Sequence, residues 1–69
     1  MMKITYDKDA DAAYIYLAEP SRKSKKTKEV KKHIILDFDE EGILIGVEVL
    51  YASKHLPKET LVKAEKLVV

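Results

Sequence analysis

The sequence has no cysteine, which excludes disulfide frameworks, thiolate zinc sites and cysteine nucleophiles together. No apolar stretch approaches the about 20 residues that a bilayer-spanning helix needs, so no membrane segment is expected. The start is not followed by an apolar core and a small-residue cleavage site, so no signal peptide is expected, and the expected location is cytoplasmic. Neither sign of charge dominates. The 13 basic residues against 12 acidic ones leave +1, a balance that predicts no partner by itself. Asparagine and glutamine are absent, and glycine and proline number two each. Amides hydrolyse on heating, and richness in Lys and Glu is the proteome-wide mark of hyperthermophiles. The composition therefore points to a thermophilic source.

What is present is 69 residues and 7.9 kDa, one small domain. With 36% charged and 46% apolar residues, the chain has the balance of a globular protein rather than a disordered or membrane one. A chain this short buries only about 60% of the surface it exposes when unfolded, and single cores below about 70–80 residues are marginal. With disulfides excluded, the remaining remedies are dense packing, a metal or self-association. Self-association, as a homodimer or larger, is the expected one.

Hydrophobic periodicity gives the elements. Lys3-Ile4-Thr5-Tyr6 alternates as a half-buried strand. Asp7 to Asp11 reads as a turn, because Asp competes for its own backbone amides. Ala13 to Leu17 is aromatic and β-branched, a second strand ended by Glu19-Pro20-Ser21. Residues 21–28 hold no apolar side chain and read as a mobile basic loop, since no burial offsets the entropy of ordering them. Glu29 to Phe38 reads as the third strand, Asp39 to Gly42 as a hairpin turn and Ile43 to Tyr51 as the fourth strand. That last strand is apolar on its odd face and carries Leu44, Gly46, Glu48 and Leu50 on its even face, so cover on both sides is expected. Ser53 is placed to cap a short turn through Leu56. Pro57 suits a helix start, and Leu61, Ala64, Leu67 and Val68 form one apolar stripe, which predicts a helix over 57–67. The expected fold class is α+β: a four-stranded antiparallel β-meander with one C-terminal helix packed on the sheet.

Two blocks of residues carry a resemblance. Met2-Lys3-Ile4-Thr5-Tyr6-Asp7 with Ala10-Asp11-Ala12-Ala13-Tyr14-Ile15-Tyr16-Leu17 forms the first. The second is Leu36-Asp37-Phe38-Asp39-Glu40-Glu41-Gly42 with Leu44-Ile45-Gly46-Val47-Glu48-Val49-Leu50 and Ala52-Ser53-Lys54. Together they resemble a short prokaryotic family known as domain of unknown function twenty-two eighty-three. The resemblance covers about residues 2–56. It implies no assigned activity and no catalytic residues, and it implies short stand-alone proteins, some with toxin-like neighbours. The chain departs from the family pattern at Lys31-Lys32-His33, where relatives tend to be acidic.

Four groups of residues are candidates for chemistry. Asp7, Asp9 and Asp11 have the spacing that opens a calcium loop, but Ala12 and Ala18 stand where that loop needs Gly and a bidentate Glu, so a turn is expected. Asp37 and Glu48 flank one hairpin. Glu48 lies mid-strand among apolar neighbours, and if buried it needs donors or a cation such as His33, Lys3 or Lys54. Glu48, His33 and Asp37 are accordingly read as a structural polar site. His33 and His55 lack any metal-ligand spacing, and no metal or other cofactor is expected. Arg22, Lys23, Lys25, Lys26, Lys28, Lys31 and Lys32 form a basic tract suited to phosphates. The tract lacks the interleaved aromatics of a base-stacking surface.

The leading expectation is a homo-oligomeric protein-interaction module, with a toxin-like protein as a further partner. A nucleic-acid-binding module using residues 22–32 is second, and a metal-assisted or carboxylate-based enzyme third. The composition also predicts a melting midpoint above the about 45–65 °C of mesophile domains, which a reversible thermal scan checks.

Overall fold

The computed structural model describes residues 2–66. Five antiparallel strands form the sheet: β1 (Lys3–Asp7), β2 (Ala12–Tyr16), β3 (Lys26–Lys31), β4 (Ile34–Phe38) and β5 (Leu44–Leu50). Two short helices follow, α1 (Ala52–His55) and α2 (Lys58–Lys63), and then a two-residue strand β6 (Glu65–Lys66) that runs parallel to β1. The α+β class and the antiparallel sheet are as expected, but the antiparallel strands number five rather than four.

The fifth strand comes from splitting the expected third one. Lys31 pairs with Ile34, so Lys32 and His33 form a two-residue hairpin loop, with His33 at φ 74°. The sequence offers no Asn-Gly or Asp-Gly there, although His is among the residues enriched at positive φ. Strand β3 then reaches back to Lys26, so the last part of the basic connection is paired chain rather than loop. All six of its residues are exposed. It is held by its backbone ladder to β4 and not by burial, which is why Lys26, Thr27 and Lys28 carry no strand signal.

The order is also not a meander. The strands run β3-β4-β5-β2-β1-β6. Strand β2 pairs with β5, and the chain leaves the β1–β2 hairpin for the far edge before returning to the centre. Registers place Ile4, Ile15, Val47 and Leu36 in one row across the sheet, with Tyr6, Ala13, Val49 and Ile34 in the next. This face meets the helices. Ala52, Leu61 and Ala64 pack with Tyr6, Ala13 and Val49 as the core, and Ile4, Val47 and Leu56 lie against it. Among the described residues no large side chain is completely enclosed.

The helical segment is shorter than its apolar stripe suggests. Leu56 is extended ahead of Pro57, as expected from proline sterics. Pro57 caps rather than starts α2, and the helix stops at Lys63 because Ala64 is extended and leads into β6. Leu61 and Ala64 are buried as expected; Leu67 and Val68 lie outside the described residues.

The Asp-rich turn is a turn. Asp7 Oδ1 accepts from the backbone N–H of Asp9 at 3.1 Å and of Ala10 at 3.2 Å. Its last residue, Asp11, does more. Its carboxylate accepts the Tyr6 hydroxyl at 2.8 Å, the Ser53 N–H at 2.9 Å and the Ser53 hydroxyl at 2.7 Å. Ser53 therefore does not cap its own helix. The first turn of α1 is satisfied instead by a carboxylate from the β1–β2 turn.

The Ser53 and Tyr6 hydroxyls hold the Asp11 carboxyl below the usual carboxylate range. Its stabilising effect is complete above the unfolded value of about 3.9 and is lost as the pH falls through the lower folded-state value. Asp11→Ala is expected to lower Tm at pH 7 and to melt with the wild type near pH 2. Thermal unfolding across that range checks both.

Candidate functional site

Tyr14, Gly46 and Asp37 form one unit on the sheet face away from the helices. Tyr16 on β2 is opposite Gly46 on β5, which is opposite Asp37 on β4; in the next row Tyr14 is opposite Glu48, which is opposite Ile35. The Tyr14 ring leans diagonally over Gly46, and its hydroxyl donates to Asp37 Oδ2 at 2.7 Å. A Cβ at position 46 would overlap the hydroxyl end of that ring. Glycine in the middle of a central strand is thus explained by close approach. Asp37 is only 8% exposed, and the tyrosine satisfies it. Burial, and after it the bond to Asp37, pushes the Tyr14 hydroxyl well above its ordinary value, so it stays a protonated donor at physiological pH. Tyr16 packs edge-on against Tyr14 with centroids 4.6 Å apart, and Lys3 Nζ lies 5.6 Å from the Tyr16 ring centre.

The expected polar trio is only partly assembled. Asp37 and Glu48 share this face, but Asp37 is bound by Tyr14 rather than by Glu48. Glu48 is half-buried beside Tyr14, and no ion pair joins it to a described residue. Within the chain, the even face of β5 is covered by a tyrosine ring from its neighbour. His33 sits elsewhere, at the β3–β4 turn. Its ring lies 4.6 Å from that of Tyr51 and 5.9 Å from that of His55. The two histidines, distant in sequence, share a hollow of about 380 Å³ with Lys32, Tyr51 and Lys54. No group of three or more His, Cys, Asp or Glu suited to a metal occurs among the described residues.

The seven cations of the basic tract fall in three places. Arg22, Lys23 and Lys25 line a hollow of about 530 Å³ together with Asp39, Glu40 and Glu41, and Arg22 Nη2 contacts Asp39 Oδ2 at 2.7 Å. The N–H groups of Ile43 and Glu41, joined by the Arg22 guanidinium, hold the Asp39 carboxyl below its ordinary range. Lys26, Lys28 and Lys31 lie on β3, an edge strand, where lysine blocks pairing with another sheet edge. Lys32 joins the histidine hollow. Sequence reasoning passed over Tyr14, Tyr16 and Tyr51 as site residues and read Asp11 as part of a turn; a glycine amid the β-branched residues of β5 was the one signal that something crosses it.

Gly46→Ala is expected to displace Tyr14 and destabilise by about 1–3 kcal/mol. Tyr14→Phe is expected to cost a similar amount, about 1–3 kcal/mol, by leaving Asp37 without its donor. Adding Tyr14→Ala to Gly46→Ala should cost clearly less than the two separate changes combined. Urea unfolding of the four proteins as a double-mutant cycle measures that coupling.

Comparison with known proteins agrees with this picture of a small domain without an assigned chemistry. An uncharacterized protein of Methanocaldococcus jannaschii, MJ0789, is 43% identical over 53 residues, covering 77% of this chain and 43% of that protein. The uncharacterized protein YuzE of Bacillus subtilis is 32% identical over 59 residues, covering 81% of this chain and 46% of that protein. The chain thus spans less than half the length of these curated relatives. No solved structure matches it. Residues 3–53, well over half of the chain, match the family described as "Protein of unknown function (DUF2283)", and the chain belongs to this family.

Proposed function

We propose that the domain is a self-associating protein-interaction module in which two copies pack through the helix-free, tyrosine-bearing sheet face. The observation that carries this reading is the helix-free face itself, where Tyr14 and Tyr16 pack edge-on and the Tyr14 ring lies over Gly46.

The chemistry of the face supports a second copy as the occupant. One row across it reads Lys3, Tyr16, Gly46, Asp37, Thr27, and the next reads Thr5, Tyr14, Glu48, Ile35, Glu29. The cation is at the β1 end and the carboxylates are towards the β3 end. A twofold axis along the strands lays the lysine end of one copy over the carboxylate end of the other. Tyrosine, large and amphipathic, is enriched at such interfaces. Helices already occupy the opposite face.

A cytoplasmic, heat-stable protein fits the same reading, since self-association and ion-rich surfaces are both routes to thermal stability. Nucleic acid is a weaker candidate, because part of the basic tract is neutralised by Asp39 and its neighbours and part guards a sheet edge.

Sedimentation equilibrium at micromolar concentration is expected to give about twice the 7.9 kDa of the chain. Tyr16→Glu and Ile35→Lys should each give monomer with an unchanged far-UV spectrum. A clean 7.9 kDa species for the wild type rules the reading out. If only Leu36→Lys, on the helix-bearing face, dissociates the protein, the wrong face has been assigned.

A further inference from the structure

We propose that the hollow between the β3–β4 turn and α1 is a binding site for a phosphate-class oxyanion. Its lining is Lys32, His33, Tyr51, Lys54 and His55: two ammonium groups, two imidazoles, one phenol and no carboxylate. Each of these side chains can donate a hydrogen bond to an anion. The other basic hollow, beside Arg22, holds three carboxylates against three cations in its own lining, whereas no carboxylate lines this one. Like charges gathered in one concavity repel one another, and an anion between them removes that repulsion.

The backbone gives an independent observation. Three described non-glycine residues have positive φ, and two of them, His33 at 74° and Tyr51 at 52°, line this hollow. For a bulky residue such as Tyr51 that conformation is unfavourable, and such strain persists where the surrounding structure imposes it, often at ligand sites. Two carboxylates stand beside the hollow without lining it: Glu29 accepts the His33 backbone N–H at 3.2 Å, and Asp11, which also acts on Lys54, accepts from Ser53 and Tyr6. A cation is a poorer occupant, because two imidazoles flanked by two lysines lack the further anionic or neutral ligands that a zinc site needs. The volume of about 380 Å³ suits a phosphate or a small phosphate monoester.

The chain has two histidines, both in the hollow, so their ring proton resonances report on it directly. Titration with sodium phosphate at pH 6.5 and constant ionic strength is expected to shift both sets saturably. Lys54→Met combined with His55→Gln, both exposed positions, should weaken phosphate binding at least tenfold when followed by the His33 resonances. Arg22→Met combined with Lys23→Met should leave it unchanged. Adenosine 5′-monophosphate binding more tightly than phosphate assigns an ester as the ligand; phosphate binding alone assigns the free ion; both support the site. Shifts no larger than those from sodium chloride, or binding lost only in the Arg22/Lys23 variant, overturn it.

Discussion

The pairing of β2 with β5 joins two parts of the domain that the chain keeps far apart. On one side is the β1–β2 hairpin; on the other is the β3–β4–β5 meander. Closing the long connection between them costs conformational entropy before any contact rewards it. Two side-chain clamps act at this seam. Tyr14 reaches across β5 to Asp37, 23 residues away in sequence, and Asp11 reaches Ser53, 42 residues away. The first clamp needs Gly46, because only a residue without Cβ leaves room for the ring. The second positions α1, so the core that Ala52 shares with Ala13 and Val49 depends on it. A domain this small has no deep interior to spare, and long-range polar contacts substitute for the volume it lacks.

Much of this was legible in the residues. Alternation located β1, β2 and β5 to within a residue or so, and Asp39 to Gly42 formed the turn expected of it, with Gly42 at φ 83°. What alternation could not show was pairing without burial. Strand β3 is all exposed and half lysine, so little in its side chains distinguishes a ladder from a loop. The Lys32-His33 reversal was hidden for a related reason: it uses none of the residues that turn chemistry favours. Strand order was invisible too, since periodicity fixes which face a residue lies on but not which strand lies beside it. Of the site, Asp37 and Glu48 were grouped with His33 as one polar site, of which only the first two share a face, whereas the tyrosines read only as strand formers.

The two sheet faces divide the work. The helix-bearing face is apolar, and α1 and α2 close over one end of it. The helix-free face keeps polar groups at its centre, but they are arranged so that the buried ones are satisfied: Asp37 by Tyr14, and Gly46 by having no side chain to place. The aromatic part of this face is Tyr14 and Tyr16, two rings of β2 packed edge-on. Rigid aromatic surface costs little side-chain entropy to bury, which suits it to association. Lysines along β3 discourage pairing through that edge of the sheet.

Strain is concentrated at one end of the sheet. Asp11 precedes β2, His33 precedes β4 and Tyr51 follows β5. Because Ala12 pairs with Leu50 and Val49 with Ile34, all three lie at the same end. Each left-handed non-glycine residue costs on the order of 1–2 kcal/mol, with Asp and His tolerating it better than Tyr. Hydrogen bonds at that end offset the cost. The Ala52 N–H donates to the Asp11 carbonyl at 2.9 Å, Ser53 is bound twice by the Asp11 carboxylate, and the Leu50 N–H donates to the His33 carbonyl at 2.8 Å. Tyr51 stands between two of these anchored residues, and its left-handed turn sends the chain from β5 into α1. That same turn brings Lys54 and His55 round to face His33. The strained end of the sheet and the basic hollow are therefore one construction, and the carboxylate that stabilises the core also sets the geometry of the hollow.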